Sequence, residues 1–260
     1  MIGKVYLVGA GPGDPELLTL KAVRALEQAD VVLYDSLVDE RVLVHASWNA
    51  RRVLVGKRGG CKSPPQDFIE RLMIQEALAG RTVVRLKGGD PYVFGRGGEE
   101  RRHLLAQGIE VEVIPGITAG LAAPARAGIP VTDRDCSRGV ALVTGHAAEG
   151  TPEPDWTALA RSGLTLVIYM GVARCANICE ALMRGGLSQA TSAAIVQSAW
   201  QDGERMHATT LRRLPADVAR LGFGSPSILV IGEVARYAQI PGRKVAVACA
   251  PAAGTTTASF

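Results

Sequence analysis

Short apolar runs recur along the first half of the chain, separated by longer amphipathic stretches. The pattern predicts strands at 4–8, 31–34, 52–55, 82–86 and 110–114. It predicts helices at 15–29, 38–46, 65–79 and 98–107, with Gly80 and Gly108 suited to helix ends. Strand and helix alternate with short connections, which favours a largely parallel sheet. The segment from Ile114 to Gly120 then leads into a helix of small residues at 119–127. The domain boundary is expected there, with an N-terminal unit over 1–114 and a C-terminal unit over 115–240. The second half predicts strands at 140–143, 164–169, 192–197, 204–210 and 227–231. The last three lie close together, with few helical residues between two of them, so a mixed sheet is expected. The fold class read from the pattern is α/β in two domains. One holds a mostly parallel sheet, the other a mixed sheet, with helices on both faces. Residues 241–260 are rich in Pro, Gly, Ala and Thr and are expected to form a flexible tail.

Two glycine-rich loops stand where strands should end. Gly9-Ala10-Gly11-Pro12-Gly13-Asp14 follows the first strand, and Gly88-Gly89-Asp90-Pro91 follows the fourth. Glycine lets a backbone approach a ligand closely, and α/β folds bind ligands beyond the ends of their strands. Two such loops predict one cleft walled from two sides. The first loop departs from a dinucleotide fingerprint, because Asp14 stands where a third glycine belongs. Asp14-Pro15-Glu16 reads as a helix start instead. An aspartate at that mouth repels a pyrophosphate and tolerates a cationic ligand.

The 260 residues suffice for one large domain or two small ones with a proper core. Hydrophobic residues make up 47 % and charged residues 21 %, ordinary for a soluble α/β enzyme. No apolar run approaches the roughly 18 residues of a membrane span, and no secretory pattern is visible. The five cysteines show no disulfide or zinc spacing, which points to a reducing, cytoplasmic setting. Cys175 and Cys179 lie one helical turn apart and are expected on a buried face. The net charge of +4 mildly favours acidic partners. No lysine run or basic-aromatic stripe suggests nucleic acid, and no His/Cys/Asp cluster has metal-site spacing.

Taken in order, these motifs carry a resemblance. The stretch from Gly9 to Thr19 resembles the opening motif of the tetrapyrrole methylases, and Val84 to Glu100 resembles their second motif. Further matches are Tyr34-Asp35-Ser36-Leu37-Val38, Val55-Gly56-Lys57-Arg58, Pro115 to Ala119, Gly128 to Thr132, Leu142 to His146 and Tyr169-Met170-Gly171. The likeness covers roughly residues 3–235. It implies a methyltransferase that holds S-adenosylmethionine in a cleft between two α/β domains and releases S-adenosylhomocysteine. The Tyr-Asp, Val-Gly-Lys-Arg and Phe-Gly-Arg segments are most similar to the members that methylate uroporphyrinogen III at carbons 2 and 7. That reaction gives precorrin-2 for sirohaem, cobalamin or haem d1 synthesis. A homodimer is also implied.

The resemblance assigns Pro12, Gly88, Gly89, Asp90, Val93, Thr118, Ala119, Met170 and Ala199 to the cofactor. Plain turn geometry is the lesser alternative for the glycines, and Val93 and Ala199 equally fit simple packing. It assigns Asp35 as proton acceptor and Lys57 as proton donor. Asp35 can equally cap the segment after it, and Lys57 can equally hold a substrate carboxylate. A substrate with eight carboxylates needs forked cations. Arg96, as a carboxylate clamp or to steer the departing proton, Glu99, to orient Arg96 or accept a pyrrole N–H, and Arg134 are the substrate-binding candidates; a solvated charge is the plain alternative for Arg134. His146 is either a cleft residue or a structural one. Asp133 and Cys136 depart from the His and Tyr frequent in relatives, and Ser198-Ala199-Trp200 departs from a frequent Asn-Gly-Thr. A methyltransferase of the same fold acting later in the corrin pathway or on protein or RNA, a non-catalytic tetrapyrrole carrier and a nicotinamide-dependent dehydrogenase are the competing readings. Intact cofactor loops count against the carrier, and Asp14 counts against the dehydrogenase. In fused sirohaem synthases a dehydrogenase precedes the methylase unit; the first methylase strand stands at the start of this sequence, so none is expected ahead of it.

Overall fold

The computed structural model describes residues 2–56, 65–146 and 152–239. Lys57, Arg58 and the expected tail over 241–260 lie outside the described residues. The first sheet contains β1 (Lys4–Gly9), β2 (Val31–Tyr34), β3 (Arg51–Leu54), β4 (Val83–Lys87) and β5 (Glu110–Ile114). Its order is β3-β2-β4-β1-β5, and every pairing is parallel. Parallel sheets need cover on both faces, which is why β2 and β4 are buried along their whole length. One face is closed by α1 (Leu20–Glu27) and the turn Glu40–His45. The other is closed by α2 (Gln66–Leu78) and α3 (Gly97–Ala106).

Two of the expected helices take a different form. The stretch 15–29 divides because it carries two caps. The Asp14 carboxylate accepts from the Glu16 amide at 2.9 Å and starts a single 3-10 turn over Pro15–Leu17. Leu18 and Thr19 are extended, and Thr19 Oγ1 accepts from the Ala22 amide at 3.1 Å to begin α1. The stretch 38–46 is a 3-10 turn over Glu40–His45, capped by Asp39.

The second sheet contains β6 (Val140–Thr144), β7 (Thr165–Tyr169), β8 (Ser192–Gln197), β9 (Arg205–Thr210) and β10 (Ser227–Ile231). Its order is β6-β7-β10-β8-β9. Only β6 and β7 are parallel, so the sheet is mixed, as the strand spacing indicates. The small-residue helix α4 (Ala119–Arg126) packs on one face. On the other lie α5 (Trp156–Arg161), α6 (Cys175–Arg184) and α7 (Leu214–Leu221). These three helices fall in stretches to which the sequence reading gave no element. For α6 the signal is present: Cys175, Ile178, Cys179 and Leu182 recur at helical spacing and are all buried. Both cysteines therefore lie on a buried face.

An ion cluster fastens α7 to β9. Asp217 accepts from Arg220 at 2.8 Å and from Thr209 Oγ1 at 2.7 Å, and His207 Nε2 lies 3.3 Å away. Arg220 first, then Thr209, holds this carboxyl well below the usual carboxylate range. A depressed folded-state value contributes stability above the unfolded value, about 3.9, and the contribution disappears as pH falls below it. Stability followed by Tm is expected to fall as pH drops from 5 to 3. Asp217→Asn is expected to lower Tm at pH 7 and to flatten that acid-side fall.

Candidate active site

Because the first sheet is parallel, β1, β2, β4 and β5 all end on one edge, and their loops meet there. The two glycine loops are hydrogen-bonded to each other. The Gly11 amide donates to the Gly89 carbonyl at 3.2 Å, and the Gly89 amide donates to the Gly11 carbonyl at 2.8 Å. Gly11 and Gly89 sit at φ +70° and +68°, a region that residues with a Cβ rarely occupy. The segment after β5 packs directly on this bridge. A Cβ on Gly116 would lie 2.3 Å from the Gly89 carbonyl oxygen, and one on Gly9 would lie 2.5 Å from the Gly116 nitrogen. Asp90 completes the joint, accepting from the Tyr92 amide at 2.8 Å and the Gly116 amide at 3.1 Å.

The second sheet supplies the opposite wall. Tyr169 ends β7, and its hydroxyl lies 2.7 Å from Thr118 Oγ1 and accepts from the Gly120 amide at 2.7 Å. Burial pushes this phenol above its ordinary range. The Phe94 ring leans on it with centroids 4.8 Å apart. Met170 follows at φ 53° and is half exposed. Val93, Ala119 and Ala199 all pack against the core under α4. Ala199 lies between Ser198 and Trp200, two non-glycine residues at φ 49° and 65°. Such backbone costs about 1–3 kcal/mol and must be held by its surroundings. Here the Trp200 indole donates to the Ala122 carbonyl at 3.2 Å, and the Arg126 guanidinium lies 4.8 Å over its ring. From the same loop, Gln201 donates to the carbonyls of Pro12 at 3.1 Å and Leu37 at 3.3 Å. The C-terminal half is thereby tied to the first glycine loop.

A buried charge cluster lies under the second loop. Arg85, in the middle of β4, is fully buried. It donates to Asp35 Oδ1 at 2.5 Å, to Glu100 Oε1 at 3.3 Å and to the Leu33 carbonyl at 3.3 Å. Lys87 and Gln66 each donate to Glu100 Oε1 at 3.0 Å. Burial pulls the Lys87 ammonium below its ordinary range. Asp35, at the end of β2, is the partly exposed carboxylate of the cluster, with 26 % of its side chain accessible.

Eight of the nine cofactor candidates are linked by these contacts. Pro12 meets Gln201; Gly88 packs on Leu37; Gly89 faces Thr118 and Ala119; Asp90 holds Gly116; Val93 and Ala199 share one core. Met170 extends the Tyr169 end of that wall. Arg96 and Glu99 form an exposed pair at the start of α3, with Arg96 Nη2 2.5 Å from Glu99 Oε2. Each raises or lowers the other in the sense that keeps both charged. Arg134 lies in a separate exposed turn, closed by an Asp133–Ser137 bridge. His146 is exposed at the end of β6, where its backbone bonds to Thr144. A separate hollow of about 340 Å³, lined by Trp156, Arg174, Asn177 and Arg184 among others, shares no residue with these loops. Among the described residues, no three His, Cys, Asp or Glu side chains are grouped to hold a metal ion, and no helix is long and apolar enough to cross a membrane.

Arg85, Lys87, Glu100, Tyr169 and Gln201 were given no role from the sequence. Arg85 and Lys87 carried a signal: charges inside a central parallel strand need buried partners.

The family model for tetrapyrrole (corrin/porphyrin) methylases matches residues 4–215. The chain belongs to the tetrapyrrole methylase family. A uroporphyrinogen-III C-methyltransferase of Pseudomonas aeruginosa is 57 % identical over 91 % of this chain and 96 % of its own. A sirohaem synthase of Chromobacterium violaceum is 48 % identical over 91 % of this chain, which spans only 50 % of that protein. The solved uroporphyrin-III C-methyltransferase of Thermus thermophilus complexed with S-adenosylhomocysteine has a TM-score of 0.77 and 45 % identity, covering 90 % of this chain and 94 % of that one. In this methylase the Tyr169 hydroxyl joins the two walls. Tyr169→Phe leaves the buried Gly120 amide without its acceptor, a cost of about 1–3 kcal/mol. The expected result is a fall in Tm of roughly 2–10 °C by calorimetry at this chain length.

Proposed function

We propose that this chain is an S-adenosylmethionine-dependent C-methyltransferase that converts uroporphyrinogen III to precorrin-2 by methylating C2 and C7. The observation that carries the reading is the pair of mutually bonded glycine loops facing Thr118 and Ala119. It stands in a chain 57 % identical to a uroporphyrinogen-III C-methyltransferase over nearly the full length of both. The loops also fit the cofactor physically. A Cβ on Gly89 would occupy the space in front of Thr118 and the Ala119 amide, with nothing nearer than 3.6 Å; glycine keeps that space open. Thr118 makes no side-chain cap to α4; the Gly120 amide goes to Tyr169 and the Leu121 amide to the Thr118 carbonyl, while the Ala119 amide faces the space at Gly89 and suits a ligand carboxylate. Gly88, Gly89, Asp90, Thr118 and Ala119 would hold the amino-acid part, with Pro12, Val93, Met170 and Ala199 around the remainder.

When bound, S-adenosylmethionine supplies an electrophilic methyl carbon on a sulfonium. An electron-rich pyrrole carbon needs no strong base before attack, but a proton must leave afterwards. Asp35 is the acceptor and Lys57 the donor in this reading. Arg96, oriented by Glu99, clamps a substrate carboxylate, and Arg134 provides a second clamp. The chain works as a cytoplasmic homodimer, and its product feeds sirohaem, cobalamin or haem d1 synthesis. A methyl transfer later in corrin synthesis is the second reading. It is favoured by a TM-score of 0.80 to the cobalt precorrin-4 methyltransferase CbiF at 28 % identity.

Anaerobic incubation with S-adenosylmethionine and uroporphyrinogen III, followed by mass spectrometry, is expected to show a gain of two methyl groups. An unmethylated tetrapyrrole from protein that binds the cofactor would count against the reading. Arg96→Ala is expected to reduce turnover by about 10–100-fold, the worth of a charge-assisted hydrogen bond, with S-adenosylhomocysteine affinity kept. Asp90→Ala is expected to weaken that affinity by calorimetry, since the joint between loop and bridge is lost.

A further inference from the structure

The cluster beneath the second loop asks for an explanation beyond packing. A guanidinium in the middle of a central parallel strand is an expensive group to bury. Glu100, wholly buried on α3, answers part of the charge on β4. It does so one-sidedly: Oε1 takes donors from Gln66, Arg85 and Lys87, while Oε2 has no hydrogen-bond partner among the described residues. Two cations, Arg85 and Lys87, then face two carboxylates, and the second carboxylate is Asp35. Arg85 spends its outer nitrogen on Asp35 at 2.5 Å and its inner nitrogen on Glu100 at 3.3 Å. The first Nη is fixed to the Leu33 and Leu86 carbonyls at 3.3 and 3.2 Å. The guanidinium is therefore held on several sides by sheet backbone and by α3. It presents one fixed donor to Asp35, the charged member of the cluster that reaches solvent.

We infer that Arg85 is a positioning residue for the reaction, anchoring Asp35 by Oδ1 so that the other carboxylate oxygen faces the substrate carbon that loses its proton. The inference rests on the reading of Asp35 as proton acceptor. In the step concerned, the C–H bond of the methylated macrocycle breaks. Its electron pair stays in the ring system, and the proton passes to Asp35 Oδ2, giving a neutral carboxylic acid. Arg85 touches neither substrate nor cofactor in this scheme. It acts through Asp35, and Glu100 and Lys87 fix Arg85 in turn. Because Lys87 leads directly into Gly88 and Glu100 lies on the helix opened by Arg96, the same cluster also joins the base to both neighbouring loops.

The test is a double-mutant cycle on Arg85→Lys and Asp35→Asn, with kcat and KM for uroporphyrinogen III measured beside S-adenosylhomocysteine affinity. Lysine keeps the positive charge but not the fork. Each single variant is expected to lower kcat at least about tenfold, with KM and cofactor affinity within about twofold of the parent. The double variant is expected to be no slower than Asp35→Asn alone. Losses that multiply, or a change in KM with kcat intact, overturn the role of Arg85 and leave Asp35 in place. Parental kcat in Asp35→Asn overturns the reading of Asp35 itself, and the inference with it. Should Arg85→Lys fail to bind the cofactor, Asp35→Ala with added formate decides, since Arg85 is untouched there. Turnover restored by formate supports the anchor, and cofactor-competent protein without rescue contradicts it.

Discussion

The structure depends on a backbone contact that admits no side chains. Gly9, Gly11, Gly89 and Gly116 bring the ends of β1 and β4 and the segment after β5 into direct main-chain contact. Methyl groups there would stand within 2.3–2.5 Å of neighbouring backbone at Gly9 and Gly116. Nothing flexible is available to yield, so the contact forms only with glycine. Once made, it determines the rest. It sets the two loops edge to edge, places Asp90 to receive the Gly116 amide, and aims the segment that delivers Thr118 and Ala119 to the cleft. The second sheet then docks on that segment through the Tyr169 hydroxyl.

A second layer of order is electrostatic. The glycine joint shapes the cleft but supplies no charge. Charge comes from β4, whose alternate residues Arg85 and Lys87 are buried beneath it and answered by Glu100 from α3 and Asp35 from β2. Removing one member of such a cluster leaves an uncompensated buried ion, which costs far more than the intact pairs contribute. The same four side chains therefore depend on one another, brace the second loop and fix the carboxylate at its mouth. On the far side, the strained turn at Ser198–Trp200 is held by α4 and reaches back through Gln201 to Pro12. The two sheets are thus joined at this edge by specific hydrogen bonds.

Most of the first sheet was legible because a doubly covered parallel strand writes itself as an unbroken apolar run, as at Val31–Tyr34. The glycine loops were legible because the positions that need them follow those runs. The divided helix at 15–29 was harder: Asp14 and Thr19 are both good caps, and the pattern alone does not say that each starts its own turn. The three helices on the second sheet were overlooked although α6 repeats apolar residues at 175, 178, 179 and 182; its small cysteines and its polar neighbours weaken the contrast. Among site residues, local motifs pointed to the loops, whereas Tyr169 and Gln201 act on partners 49 to 189 positions away. Such pairings belong to the fold and have no local trace. Arg85 sits inside a recognised motif, yet its role follows only from the depth of β4.

The central claim is that the glycine joint and the start of α4 form the cofactor cradle. A crystal structure of this chain with S-adenosylhomocysteine tests it most directly. The account predicts the ligand's amino-acid part against Gly88, Gly89 and Asp90 and the amides of Thr118 and Ala119, with Asp35 on the substrate side. A ligand bound elsewhere, with the space between Gly89 and Thr118 left to solvent, would contradict it.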